Sequence, residues 1–199
     1  GYFACEKYYA DILPELRELI RFPKIVDAQK RMANEEILKK IRNSHAVSVH
    51  IRRGDYLQPE NAVMFGNICT EEYYESALNC MKEKIKDPQF FIFSDDAAYV
   101  KEHYQGEEYT IVDINHGGDS FYDMYLMSQC EGNICANSTF SFWGARLNDR
   151  SDKIMIRPTK QKNSQVFDEA QMKDLWKDWI FIDPQGQVYN DIAFRDLQV

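Results

Sequence analysis

The feature that most constrains this chain is a succession of short apolar runs, each followed by a longer segment with apolar residues three and four apart. Residues 46–51 (AVSVHI), 90–93 (FFIF), 109–112 (YTIV), 133–136 (NICA) and 153–157 (KIMIR) read as strands. Between them, residues 70–86, 94–104, 119–130 and 137–147 carry helical spacing, with capping residues at Thr70, at Ser94-Asp95-Asp96 and at Asn137-Ser138-Thr139. Two further helices, at 8–20 and 28–41, flank Phe22-Pro23, and a polar loop holding Pro59 and Gly66 follows the first strand. Strands apolar on both faces and joined by helices predict a parallel sheet covered on both sides, a Rossmann-like α/β fold. Residues 153–157 read as the last strand. Beyond Pro158 the pattern weakens, although 175–182 is apolar and aromatic enough to pack back on the body. The 199 residues are expected to form one domain, with a helical segment at 1–44 packing on a lobe at 45–199.

Charge and cysteine content exclude several classes. Against 24 Lys and Arg stand 32 Asp and Glu, a net charge of -8, so the basic face needed for nucleic-acid binding is not expected. Five cysteines, without a CxxC pair or a histidine at ligand spacing, read as reduced, buried thiols of a cytoplasmic protein, and no metal site is expected. No apolar run approaches the length of about 20 residues that a membrane span needs. The chain opens on Gly1-Tyr2-Phe3 without a methionine and reads as part of a longer protein.

In an open parallel sheet, ligands bind beyond the carboxyl ends of the strands. Three polar clusters are expected there: His50 with Arg52, Arg53 and Asp55; Ser94 with Asp95; and Asn137, Ser138, Thr139, Phe140 and Ser141. Adjacent arginines offer forked donors to a diphosphate, and the helix start after Ser138 offers amides and a positive dipole end to the same anion. Asp95 could accept paired N–H donors from a guanine edge, and Phe140 or Phe93 could give a base a flat face. On a strand, alternate residues face opposite sides. Arg52 therefore shares the face of His50 and is expected to hold the diphosphate, with Arg53 tethered by a nearby carboxylate or carbonyl. Neither a P-loop nor a GxGxxG fingerprint is present.

Three segments, "HIRRGDYL", "FFIFSDDAAYVKEHY" and "ANSTFSFWGARLN", in that order, closely resemble the signature motifs of the bacterial α-1,2-fucosyltransferase family. "YFACEKYYADI" and "SFYDMYLMSQC" also look like family segments. The resemblance implies inverting, metal-independent transfer of L-fucose from GDP-β-L-fucose to the 2-hydroxyl of a galactose-terminated glycan. It also implies a two-lobed GT-B architecture, of which this chain resembles the C-terminal, donor-binding lobe. By motif position, Arg52 is the expected diphosphate contact and stabiliser of the leaving group, supported by His50 and Arg53. Asp95 and residues 138–141 are the expected nucleotide contacts, and Asp55 is expected to hold the arginine pair. No cofactor is implied beyond the donor substrate GDP-fucose. The parent protein is expected in the cytoplasm, with association at the inner membrane face left open.

Two departures matter. Family members carry an N-terminal part with a Gly-Gly-Leu-Gly-Asn-Gln type segment, absent here, so an N-terminal acceptor lobe of the same protein is an expected partner. Residues 142–146, FWGAR, stand where members usually carry two tryptophans and a third aromatic. Glu60 lies in the loop where some related fucosyltransferases keep an acidic base and is the candidate for that role. Two alternatives stay open: a GDP-fucose-binding fragment without turnover, and a metal-dependent transferase bridging its cation with Asp95 and Asp96. The Arg53-Gly54-Asp55 tripeptide, read as an adhesion signal, would need a protruding loop.

Overall fold

A computed structural model describes residues 5–189. Among the described residues, seven strands form a single sheet: β1 (Ala46–Ile51), β2 (Gln89–Ser94), β3 (Tyr109–Val112), β4 (Gly132–Ile134), β5 (Ile154–Pro158), β6 (Trp179–Ile182) and β7 (Val188–Tyr189). Their order is β3-β2-β1-β4-β5-β6-β7, all parallel except the β6–β7 pair. From β1 the chain moves outward one way through β2 and β3. It then returns past β1 and moves the other way through β4, β5 and β6. The direction reverses between β1 and β4, and that boundary is the switch point where such sheets open a crevice.

Alternation along the strands divides the core. Val47, Val49, Ile51, Phe90 and Ile92 face α4 (Glu71–Lys84) and α5 (Ala97–His103). Ala46, Phe91 and Phe93 face α2 (Ala28–Arg42) and α6 (Phe121–Ser128) on the opposite side. On that same side, Met155, Trp179 and Phe181 pack with Phe142 of α7 (Thr139–Leu147) and with the end of α8 (Glu169–Leu175). Because both faces of each central strand meet apolar helices, the strands are rich in apolar residues, and the polar Ser48, His50 and Asn133 within them are buried.

Four expectations are corrected. Residues 153–157 are not the last strand: 175–182 divides into the end of α8 and strand β6, separated by a turn in which Asp178 has φ 66°. The polar loop after β1 contains α3 (Pro59–Phe65), which Pro59 starts from inside its first turn, where its missing N–H leaves no hydrogen bond unmade. The helix expected over 8–20 is α1 (Leu13–Leu19) alone, preceded by two short 3-10 turns, with Pro14 at its first turn. The fourth strand lies earlier than 133–136, at Gly132–Ile134. Among the described residues, no helix is long and apolar enough to cross a membrane.

Candidate functional site

The switch-point crevice is bounded by the residues that follow β1 and β4. The chain leaves β1 into Arg52 and Arg53, then turns through a 3-10 segment at Gly54–Leu57. Arg52 is held from two sides, with Nη1 2.7 Å from Asp95 Oδ2 and Nη2 2.7 Å from Asp55 Oδ1. The other Asp95 oxygen accepts from the backbone N–H groups of Arg53 (2.9 Å) and Gly54 (3.1 Å). Asp95 therefore fixes both the arginine and the turn that carries it.

Arg53 points elsewhere. Its Nε lies 3.1 Å from Asp96 Oδ2, and its guanidinium sits 3.6 Å from the centroid of the Tyr99 ring. Asp96 caps α5 by accepting from the Tyr99 N–H. That bond and the Arg53 guanidinium hold its carboxyl below the usual range. Ser94 Oγ in turn accepts from the Asp96 N–H at 3.0 Å.

His50 is buried beneath this layer, 5.5 Å from the Phe140 ring. Burial pushes its pKa down to about 4, so the imidazole is neutral at physiological pH. Its Nδ1 has no partner among the described residues. Its carbonyl accepts from the Tyr74 hydroxyl at 3.0 Å.

After β4, Asn137 is a latch. It donates to the carbonyls of Phe65 (3.1 Å) and Gln161 (3.2 Å), and its own carbonyl accepts from Tyr56 Oη at 3.1 Å. Ser138 caps α7 by accepting from the Phe140 N–H at 3.3 Å. Ser141 turns inward to donate to the Ser138 carbonyl at 3.2 Å, leaving Thr139 at the open first turn of α7.

A cavity of about 360 Å³ adjoins this layer and is lined by Arg52, Arg53 and Asn137. Tyr56, the end of the first polar cluster, also lines it, as do Tyr99 and Glu71, for which the sequence suggested no binding role. Tyr99 could have been found as the residue three positions beyond the capping Asp96. Glu60 is not brought to this layer: it is exposed in the first turn of α3 and is absent from the cavity wall. Among the described residues, no group of three or more His, Cys, Asp and Glu side chains converges as a metal-ligand set.

The family model described as glycosyl transferase family 11 matches residues 1–183. The chain is 37% identical over 163 residues to an alpha-1,2-colitosyltransferase of Escherichia coli, covering 80% of this chain and 54% of that protein. It is 38% identical over 127 residues to the O-antigen biosynthesis glycosyltransferase WbnK of Escherichia coli, covering 62% and 42%. A galactoside alpha-(1,2)-fucosyltransferase 2 of Sus scrofa is 31% identical over 108 residues, covering 53% and 32%. The matched region thus spans about half the length of the two bacterial relatives. No solved structure matches the chain significantly.

Proposed function

The chain belongs to glycosyl transferase family 11, and from that premise we propose that it binds the donor for transfer of L-fucose from GDP-β-L-fucose to the 2-hydroxyl of a galactoside. The observation that carries the reading is the clamped Arg52 at the switch point, which lines one cavity with Asn137, the residue before the cap of α7. In the reaction, the acceptor oxygen attacks C1 from the face opposite the phosphate, and its proton passes to a base. The bond from C1 to the β-phosphate oxygen breaks, and GDP leaves with the electron pair. Configuration at C1 inverts, and negative charge grows on the leaving diphosphate.

A guanidinium has five N–H donors; Asp55 and Asp95 pair with Arg52 by charge at 2.7 Å each, and the remaining N–H donors are available to a diphosphate. Asp55, Asp95 and Asp96 offset the charge of the two arginines. Attraction for the anion then comes from aimed N–H groups and the α7 amides rather than from a surplus of positive charge. A single pre-aimed donor is worth about 3 kcal/mol in the transition state of comparable sites. The reading needs no metal. Asp95 and Asp96, the pair a bridging cation would require, are each committed to a different arginine.

The test is calorimetric titration of the chain with GDP, UDP and GDP-fucose, each with and without EDTA. Binding of GDP in preference to UDP, unchanged by EDTA, is the expected result. An affinity that requires manganese would replace this reading with a metal-bridged one, and equal affinity for UDP would remove the donor assignment.

A further inference from the structure

We propose that the cavity between α3 and the start of α4 receives the 6-deoxyhexosyl ring of the donor, with Asn67 and Glu71 binding its hydroxyls. The inference rests on the donor reading above, which puts the diphosphate at Arg52.

Strand alternation sets the directions. His50 and Ile51 face opposite sides of the sheet: His50 lies beside Phe140, while Ile51 and Tyr74 line the cavity. A ligand whose diphosphate sits on Arg52 can therefore extend both ways from it, with the base toward Phe140 and the sugar toward Tyr74.

Polar accounting in the wall then selects residues. Arg52 and Arg53 are paired with carboxylates, and Tyr56, Thr70, Tyr74 and Asn137 all hydrogen-bond to the protein. Asn67 and Glu71 also line the cavity; both are exposed to solvent, and no hydrogen bond or ion pair to the described residues holds their side chains, which leaves them available to a ligand. The loop carrying Asn67 is fixed in advance: Asn163 donates to the carbonyls of Met64 (2.8 Å), Val63 (3.0 Å) and Gly66 (3.1 Å). Asn67 itself has φ 56°, a left-handed conformation that asparagine tolerates.

The remaining wall suits the rest of such a sugar. Tyr56 and Phe65 stack at 5.0 Å, and Cys69 adds a thiol whose pKa burial pushes up to about 12, so it stays neutral. A 6-deoxyhexose presents a methyl group and C–H bonds on one side and hydroxyls on the other. The aromatic pair and the thiol match the first, and the amide and carboxylate match the second.

The experiment titrates the full 199-residue chain and two variants, Glu71→Gln and Ala62→Phe, with GDP and with GDP-fucose. Ala62 lines the cavity from α3, so phenylalanine there fills it. The parent chain should bind GDP-fucose about tenfold more tightly than GDP, roughly the worth of a single hydrogen bond to a charged group. Each variant should lose most of that gain and keep its affinity for GDP, which also certifies that it is folded. Equal affinity of the parent chain for both ligands overturns the subsite, as does a parallel loss of both in the variants. Failure of the parent chain to bind GDP overturns the donor reading, and the subsite with it.

Discussion

Gly54 and Asp95 touch so closely that no side chain fits between them: a Cβ on Gly54 would lie 2.5 Å from Asp95 Oδ2. That oxygen is the one paired with Arg52 Nη1. The glycine of the Arg-Arg-Gly-Asp run thus serves the arginine rather than the backbone turn. Gly54→Ala should push the Asp95 carboxylate aside and release Arg52, while the apolar core is untouched. GDP affinity is expected to fall by about 1.5–3 kcal/mol, the worth of a charge-assisted hydrogen bond. Thermal stability should change much less, and a GDP titration with a melting curve checks both.

The two arginines should separate in the same pair of measurements. Arg52→Lys retains a charge but loses the planar fork that meets Asp55, Asp95 and a diphosphate together. It should weaken GDP binding by about 1.5–3 kcal/mol. Arg53→Lys loses stacking on Tyr99 and the Nε contact to Asp96, neither of which engages Arg52, and should lower the melting temperature more than the affinity. Loss of binding in Arg53→Lys with normal binding in Arg52→Lys would exchange the two roles.

The sheet was legible because β1 and β2 are covered by helices on both faces and so are rich in apolar residues, and the edge strand β3, though only partly buried, keeps the same character. Strand β6 was not, because α8 ends only a few residues before it and the junction contributes apolar residues to the same run. Only the left-handed turn at Asp178 separates them, and such a turn has no signature in an aspartate. Helix α3 was missed because Pro59 reads as a breaker unless it is known to stand in the first turn. In the site, Arg52 meets Asp55 and Asp95 while Arg53 meets Asp96 and Tyr99. Both lie past the end of β1 and both line the cavity, so alternation along the strand does not by itself assign their roles. The sequence offered no way to see that Asp95 meets Arg52 and two backbone amides, since those contacts join segments more than forty residues apart. The side chains of Asn67 and Glu71 stand out only when hydrogen bonds are counted around the cavity.

At the far end of α7, Glu6 Oε1 lies 3.3 Å from Arg146 Nε and accepts from Trp179 Nε1 at 2.8 Å. Arg146 is fully buried, and its guanidinium lies 4.5 Å from the Trp176 ring centroid. Arg157, also buried, lies 3.6 Å from the same ring, and burial pushes its pKa down to about 9. Removing the carboxylate's charge leaves two guanidinium groups in low dielectric with less compensation. Glu6→Gln should destabilise the fold by up to about 3 kcal/mol, the lower end for breaking a buried ion pair. Lys7→Ala removes only the exposed pair with Asp174 and should alter stability by less than about 1 kcal/mol. Denaturant titration of both variants distinguishes them. Equal effects would mean that Glu6 acts as a surface residue.

Asp123, in the first turn of α6, accepts from Asn115 Nδ2 at 2.7 Å, and Asn115 exchanges two hydrogen bonds of 2.8 Å with Asn34 of α2. Burial, joined by the nearby Asp113, pushes the Asp123 carboxyl up to about 7 despite the Asn115 bond. A carboxyl whose pKa is raised on folding favours the fold while it is protonated in both states. That contribution is complete below the unfolded value of about 3.9 and is lost as pH climbs through about 7. The loss is at most about 4 kcal/mol, and water reaching part of the group reduces it. Asp123→Asn keeps an acceptor for Asn115 and removes the ionisation. Its melting temperature should exceed that of the parent chain by several degrees at pH 8, at about 2–4 °C per kcal/mol for a domain of this size. The difference should shrink toward zero near pH 4.5. Parallel melting curves from pH 4.5 to 8 make the comparison, and a constant offset at every pH would mean that Asp123 is ionised throughout.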